Sequence, residues 1–178
     1  MDYFIMKTDE RLCKLPQMQI PKELSLTEIT KEKISKLTAA SVVYVKGNHG
    51  LGIDYPDYLE RPIPLIADKF KKILQKYQKD VLFHRVMLIE KETGLQKPYF
   101  LMMPPEITCA DNKEIQYDVG GNVRNFILNM EKVGKHKIFL AKDCREQILV
   151  RLDVAESILR RNANGIWFEP VQIRGGNK

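Results

Sequence analysis

The chain is poor in the residues that build special chemistry. Its 178 residues include three cysteines and three histidines. Cys13, Cys109 and Cys144 are far apart, odd in number and form no CxxC pair. A disulfide scaffold or structural zinc site is therefore not expected, and the thiols read as reduced residues in or near the core. His49, His84 and His136 form no HxxxH or His-x-His pair that would offer a metal two ligands from one element. His84 reads as a partly exposed strand residue and His136 as part of a solvated turn. No Gly-x-Ser-x-Gly elbow occurs, and "GNHGLG" (47–52) lacks the lysine and hydroxyl of a phosphate loop, so it reads as a connector. Asp54, Asp57 and Glu60 lack EF-hand spacing and read as turn formers. No catalytic, cofactor-binding or metal-binding residue is expected, and hence no enzyme. Long apolar runs are absent too: none approaches the roughly 20 residues of a spanning helix. The start, "MDYFIMKTDERL", is acidic where a secretory signal would be basic. A cytoplasmic protein with no membrane partner is the expectation.

What is present reads as one domain or two small lobes, with 44% hydrophobic and 29% charged residues. The net charge of +6 is unevenly spread. Residues 1–62 balance at nine basic and nine acidic side chains, whereas 63–92 hold seven against four and 131–178 ten against six. Tyr3 to Lys7 and "SVVYVKG" read as strands. "SLTEITKEKISKL" reads as a helix with Ser25 and Glu28 in capping-box spacing and Leu26, Ile29, Ile34 and Leu37 on one face. "NHGLGIDYPDYLERPIP" reads as a loop or seam. Next come an amphipathic helix, "ADKFKKILQKYQK", with Asp68 as its cap, and a strand–turn–strand over "VLFHRVMLIEKETGLQKPYFLMM". "PPEITCADNKEIQYDVGGN" reads as irregular, "NFILNM" as a short apolar segment and "KIFLAKD" as a strand. "DVAESILRRN" reads as a helix with Asp153 and Glu156 in capping-box spacing and Ala155, Ile158 and Leu159 on one face. Gly165 then turns into the closing strand "IWFEPVQI". The pattern is α+β, mainly antiparallel strands with inserted amphipathic helices.

Residues 63–88 slide onto 148–173 without a gap. Ile63, Asp68, Ile73, Leu74, Phe83 and Val86 fall on Ile148, Asp153, Ile158, Leu159, Phe168 and Val171, each pair 85 apart (148 − 63). A duplicated helix–strand unit would leave such matches, although two capped amphipathic helices followed by strands also resemble each other by chance. Phe83 to Val86 and Phe168 to Val171 are three apart, so a regular strand puts them on opposite faces. Either both faces are covered or a bulge restores the phase. Pro170 favours a bulge or an edge strand. The organisation expected is an N-terminal strand–helix–strand segment, 1–62, followed by an α+β domain, 63–178, holding the two echoing units.

Residues 63–173, about two thirds of the chain, resemble a known family. The features are "ADKFKKIL" leading into "LFHRVMLI", then "PYFLMM", "TCAD", "KIFLAKD" and above all "ILVRLDVAESILRRNANGIWFEPV", with Gly165, Phe168 and Val171 as its closing Gly-x-x-Phe-x-x-Val. The opening "YFIMKTDERL" is also similar to the family's first strand. The family is the "immunity eleven" class of bacterial polymorphic-toxin immunity proteins, formerly a domain of unknown function. It defines no catalytic residues. The resemblance implies a protein that binds and neutralises a cognate toxin made by the same cell or its neighbours. The expected mechanism is stoichiometric occlusion, a rigid surface that covers the toxin's active site or locks it inactive.

Partner-binding candidates follow from residue type. Trp167, the only tryptophan, is either a core residue or the best single interface anchor, with Tyr55 and Tyr58 next. Lys72, Lys76, Arg160 and Arg161 carry the positive excess and point to a neutral or acidic toxin face. The countervailing patch is Asp54, Asp57 and Glu60. A nucleic-acid-associated regulator is one rival. The helix lysines Lys69, Lys71, Lys72, Lys76 and Lys79 lack interleaved aromatics, however, so nucleic acid is not the expected partner. A hydrolase with an unrecognised site is the other. Nothing in the sequence specifies an oligomeric state.

Overall fold

The computed structural model describes residues 2–25, 28–47, 52–120, 123–144 and 146–174. The elements run β1 (Tyr3–Thr8), β2 (Gln17–Gln19), a 3-10 turn (Lys22–Leu24), α1 (Lys31–Lys36), β3 (Ser41–Lys46), β4 (Tyr58–Leu59), β5 (Leu65–Ala67), α2 (Asp68–Tyr77), β6 (Leu82–Glu90) and β7 (Gln96–Met103). There follow β8 (Glu106–Ile107), β9 (Ala110–Tyr117), β10 (Val123–Asn129), α3 (Met130–Val133), β11 (Ile138–Ala141), β12 (Gln147–Arg151), α4 (Leu152–Leu159), β13 (Ile166–Pro170) and β14 (Gln172–Arg174). The class is mixed α+β with mostly antiparallel pairing. No helix among the described residues is long and apolar enough to cross a membrane.

The chain writes one architecture twice. The first sheet has the order β2-β3-β6-β7-β5-β4. The second has β13-β1-β12-β11-β8, and a third has β14-β10-β9. In copy one, β2–β3 is antiparallel, β3–β6 parallel, and β6–β7, β7–β5 and β5–β4 antiparallel. In copy two the same senses recur in β9–β10, β10–β14, β13–β1, β1–β12 and β12–β11. The single strand β6 corresponds to β13 plus β14. Pro170, which has no N–H to donate, sits where that line is interrupted. The segment 1–62 is thus not set apart from 63–178: β1 lies between β12 and β13, and β3 lies beside β6.

Register fixes the correspondence residue by residue. In copy one Tyr99, Phe100 and Leu101 face Ala67, Ile66 and Leu65 on one side and Val86, Arg85 and His84 on the other. In copy two Tyr3, Phe4 and Ile5 face Arg151, Val150 and Leu149, while Phe4 and Ile5 face Pro170 and Glu169. Tyr3-Phe4-Ile5-Met6 therefore stands for Tyr99-Phe100-Leu101-Met102. The strand that completes copy two comes from the N-terminus, a circular permutation of copy one. Both tyrosine hydroxyls donate to a carbonyl just before the hairpin, Tyr99 to Pro56 and Tyr3 to His136, each at 2.6 Å.

The gapless slide holds for the last strand and fails before it. Phe83 and Phe168 both pack on the helix side, and Val86 and Val171 both pack on the outer side, so both faces are covered and no bulge is needed. Strand and helix before them are offset by 84 (151 − 67), because the link from α4 to β13 is one residue longer. Leu74 therefore corresponds to Ile158, both fully buried, while Leu159 is 52% exposed. Phe70, Leu74, Val154 and Ile158 share one core with Ile66, Val150, Phe100 and Met6. Burial of such a side chain contributes about 1.5–3 kcal/mol.

Several local expectations change. α1 begins at Lys31 and is capped not by Ser25 but by Thr30, whose hydroxyl accepts from the Lys33 N–H; Leu26 lies outside the described residues. Asp68 and Asp153 are not caps but lie inside their helices, which start after extended Ala67 and Arg151. Asp153 turns its carboxylate to Arg151 and to the Val154 N–H. The stretch read as irregular holds β8 and β9, a strand with few apolar residues because it is the outermost of its sheet. Gly165 does close the turn after α4, at φ 68°, against Pro56, where a Cβ would collide.

Candidate docking surfaces and buried clusters

Trp167 stands on β13, the outermost strand of its sheet, opposite Lys7, and is 52% exposed. The Arg11 guanidinium lies 5.9 Å from its ring centroid, within cation–π range. Arg11 is itself held by Asp9 through bonds of 2.9 and 2.6 Å, which pull the Asp9 carboxyl down to about 2. Lys7 and Glu169 form an ion pair alongside. The aromatic is thus presented on a hydrogen-bonded strand with charges of both signs beside it.

The other candidates separate. Tyr58 is a correction: it is 1% exposed, and burial holds its hydroxyl well above the usual phenol range. The Pro- and Asp-rich segment read as a loop contains β4, which puts Tyr58 into the helix-side core and Leu59 into the outer one. Tyr55 is half-buried beneath the Lys97 ammonium, 5.6 Å from its ring centroid, and its buried hydroxyl has no partner. Lys72 and Lys76 are exposed on α2. Arg160 is tied to Glu156 at 3.2 Å and Arg161 to the Ser157 carbonyl at 2.7 Å, both within their own helix region. Asp57 is no part of an open acidic patch. It is 9% exposed, paired with Lys69 at 2.7 Å, and accepts the Asn164 N–H at 2.6 Å. Copy two inverts this pair, with Lys137 and Asp153 3.5 Å apart at the corresponding positions.

The histidines also move. His84 is 4% exposed rather than partly open, 2.9 Å from the Ser41 hydroxyl, and desolvation lowers its pKa. His136 is half-buried, with Nδ1 3.3 Å from Gln78 Nε2. His49 lies outside the described residues, as does most of "GNHGLG". Of the cysteines, Cys13 is exposed, while Cys109 and Cys144 are buried and meet Asp143, all three ligand atoms lying within 4.8 Å of one another. These three side chains could hold a metal, a grouping that sequence spacing missed because Cys109 is 34 residues from Asp143. Both Asp143 oxygens already accept backbone N–H groups, from Cys109 at 3.1 Å and Ala110 at 2.8 Å. The Cys144 thiol beside it, then burial, push the Cys109 thiol up. In that state the trio ties β9 to the β11–β12 turn.

No protein-family model matches the chain, and no curated protein matches it.

Proposed function

We propose that this protein is an immunity protein that neutralises a cognate bacterial toxin by one-to-one occlusion. The observation that carries the reading is Trp167, an exposed aromatic fixed on an edge strand with Arg11 over its ring. Tryptophan and arginine dominate interface hot spots, and an anchor on a strand loses little freedom on binding. The resemblance of residues 63–173 to the immunity class supplies the class of partner. No turnover is ascribed to the chain.

The reading requires a toxin gene beside this one, and the test is co-expression with that gene's product. The wild-type chain is expected to restore growth and to form a one-to-one complex with an inactivated form of that toxin. Trp167→Ala is expected to weaken the complex at least tenfold while leaving the thermal midpoint nearly unchanged. A wild-type chain that neither binds that toxin nor rescues growth would sink the reading.

A further inference from the structure

We infer that the helix-side face of β3 and β6, beyond the reach of α2, is a docking surface for an acidic face of the partner protein. This rests on the immunity reading and adds a location and a charge. The strand pattern projects Val42 and Tyr44 away from the outer core, where Val43 and Val45 are fully buried. Val42 and Tyr44 remain 41% and 47% exposed. They lie opposite Met87 and Ile89 of β6, forming one apolar strip on a hydrogen-bonded support. Lys46 and Arg85 flank the strip and are exposed, and the Lys91 ammonium lies 5.3 Å from the Tyr44 ring centroid. No strand position that projects from this face in β2, β3, β6 or β7 is acidic. An apolar centre with a one-signed cationic rim complements an acidic protein surface.

The second copy supplies an internal control. The parallel pairs Val42–Met87 and Ile127–Gln172 correspond, each 85 apart (127 − 42 and 172 − 87). Where copy one has Tyr44, Met87 and Ile89, copy two has Asn129, Gln172 and Arg174. The architecture therefore forms with polar residues at these sites. The apolar character of copy one is not something the fold demands, and exposed apolar strips of this kind mark interaction surfaces.

The experiment transplants residues from copy two into copy one. Tyr44→Asn/Met87→Gln and, separately, Lys46→Glu/Arg85→Glu are compared with wild type for binding the inactivated toxin of the adjacent gene across a salt series, with circular dichroism as the check on folding. The first pair is expected to weaken binding at least tenfold with the fold intact. The second is expected to slow association about tenfold at low salt, with the gap closing at high salt. Because all four positions are accessible, the charge pair remains a test even if the apolar pair unfolds. Unchanged binding by both pairs, beside weakened binding by Trp167→Ala, overturns this surface and leaves the immunity reading in place. A wild-type chain that binds no toxin overturns both. Binding of a single-stranded oligonucleotide that only the charge pair abolishes, with toxin binding untouched, assigns the face to nucleic acid and also overturns the inference.

Discussion

Copy one and copy two share five strand pairings, with β8 added beside β11 in copy two, yet differ in what they present to solvent. Where both copies agree, the fold sets the requirement. Tyr3 and Tyr99 each send a hydroxyl to the carbonyl ahead of the hairpin, and Phe4 and Phe100 each meet the helix layer. The inverted ion pairs show the same logic in electrostatics. Asp57–Lys69 and Lys137–Asp153 need opposite signs but not a particular polarity, because attraction between two charges is unaltered by exchanging them. Where the copies disagree, as at Tyr44 against Asn129 or Met87 against Gln172, packing leaves the choice open and function can take it.

The largest test of the comparison concerns the exchanged strand. Deleting residues 1–8 leaves β12 and β13 without the strand that lies between them, and cooperative thermal unfolding by circular dichroism is expected to disappear. Appending residues 2–8 through a short linker after residue 178 is expected to restore it, since copy one has its equivalent strand in that chain position. Cooperative unfolding at the parent temperature by the deletion variant would break the equivalence. Next in size is the register of the helices. Leu74→Ala and Ile158→Ala are each expected to cost about 2–5 kcal/mol in chemical denaturation. Leu159→Ala is expected to stay within about 0.5 kcal/mol, as at other exposed positions. A reversed order for Ile158 and Leu159 would restore the gapless alignment and reject the offset of 84 (158 − 74).

The smallest effect distinguishes His84 from its counterpart Glu169. Burial lowers the folded-state pKa of His84 below its ordinary 6.5, so the unfolded chain takes up a proton that the folded chain resists. The stability of the neutral form is then complete above about 6.5 and is lost as pH falls toward the lower folded value. Its slope cannot exceed about 1.4 kcal/mol per pH unit. His84→Gln is expected to remove this part of the pH dependence as pH falls below about 6.5, measured as the difference between the two denaturation curves. Glu169, by contrast, pairs with Lys7 at the surface. A difference that stays flat through this window contradicts a buried neutral histidine.

Periodicity and turn chemistry were enough to determine most elements: both amphipathic helices, the strand–turn–strand over residues 82–103, the glycine turn at 165 and the α+β class. Those signals are local, so local residues carry them. The echo between residues 63–88 and 148–173 was legible too, but its register was not, because the identities Ile73–Ile158 and Leu74–Leu159 favour an offset of 85 whereas packing pairs Leu74 with Ile158. Only packing resolves which leucine or isoleucine enters the core. The likeness of Tyr3-Phe4-Ile5-Met6 to Tyr99-Phe100-Leu101-Met102 was present in the letters, yet its meaning depended on the N-terminal strand closing the last unit, a pairing between chain ends. The fate of the candidate site residues had the same origin. Tyr58 went inward and Trp167 outward because a two-residue strand in a proline-rich segment was pulled under α2, while β13 stayed at a sheet edge. Residue type set what each side chain could do, and long-range pairing decided which of them meet solvent.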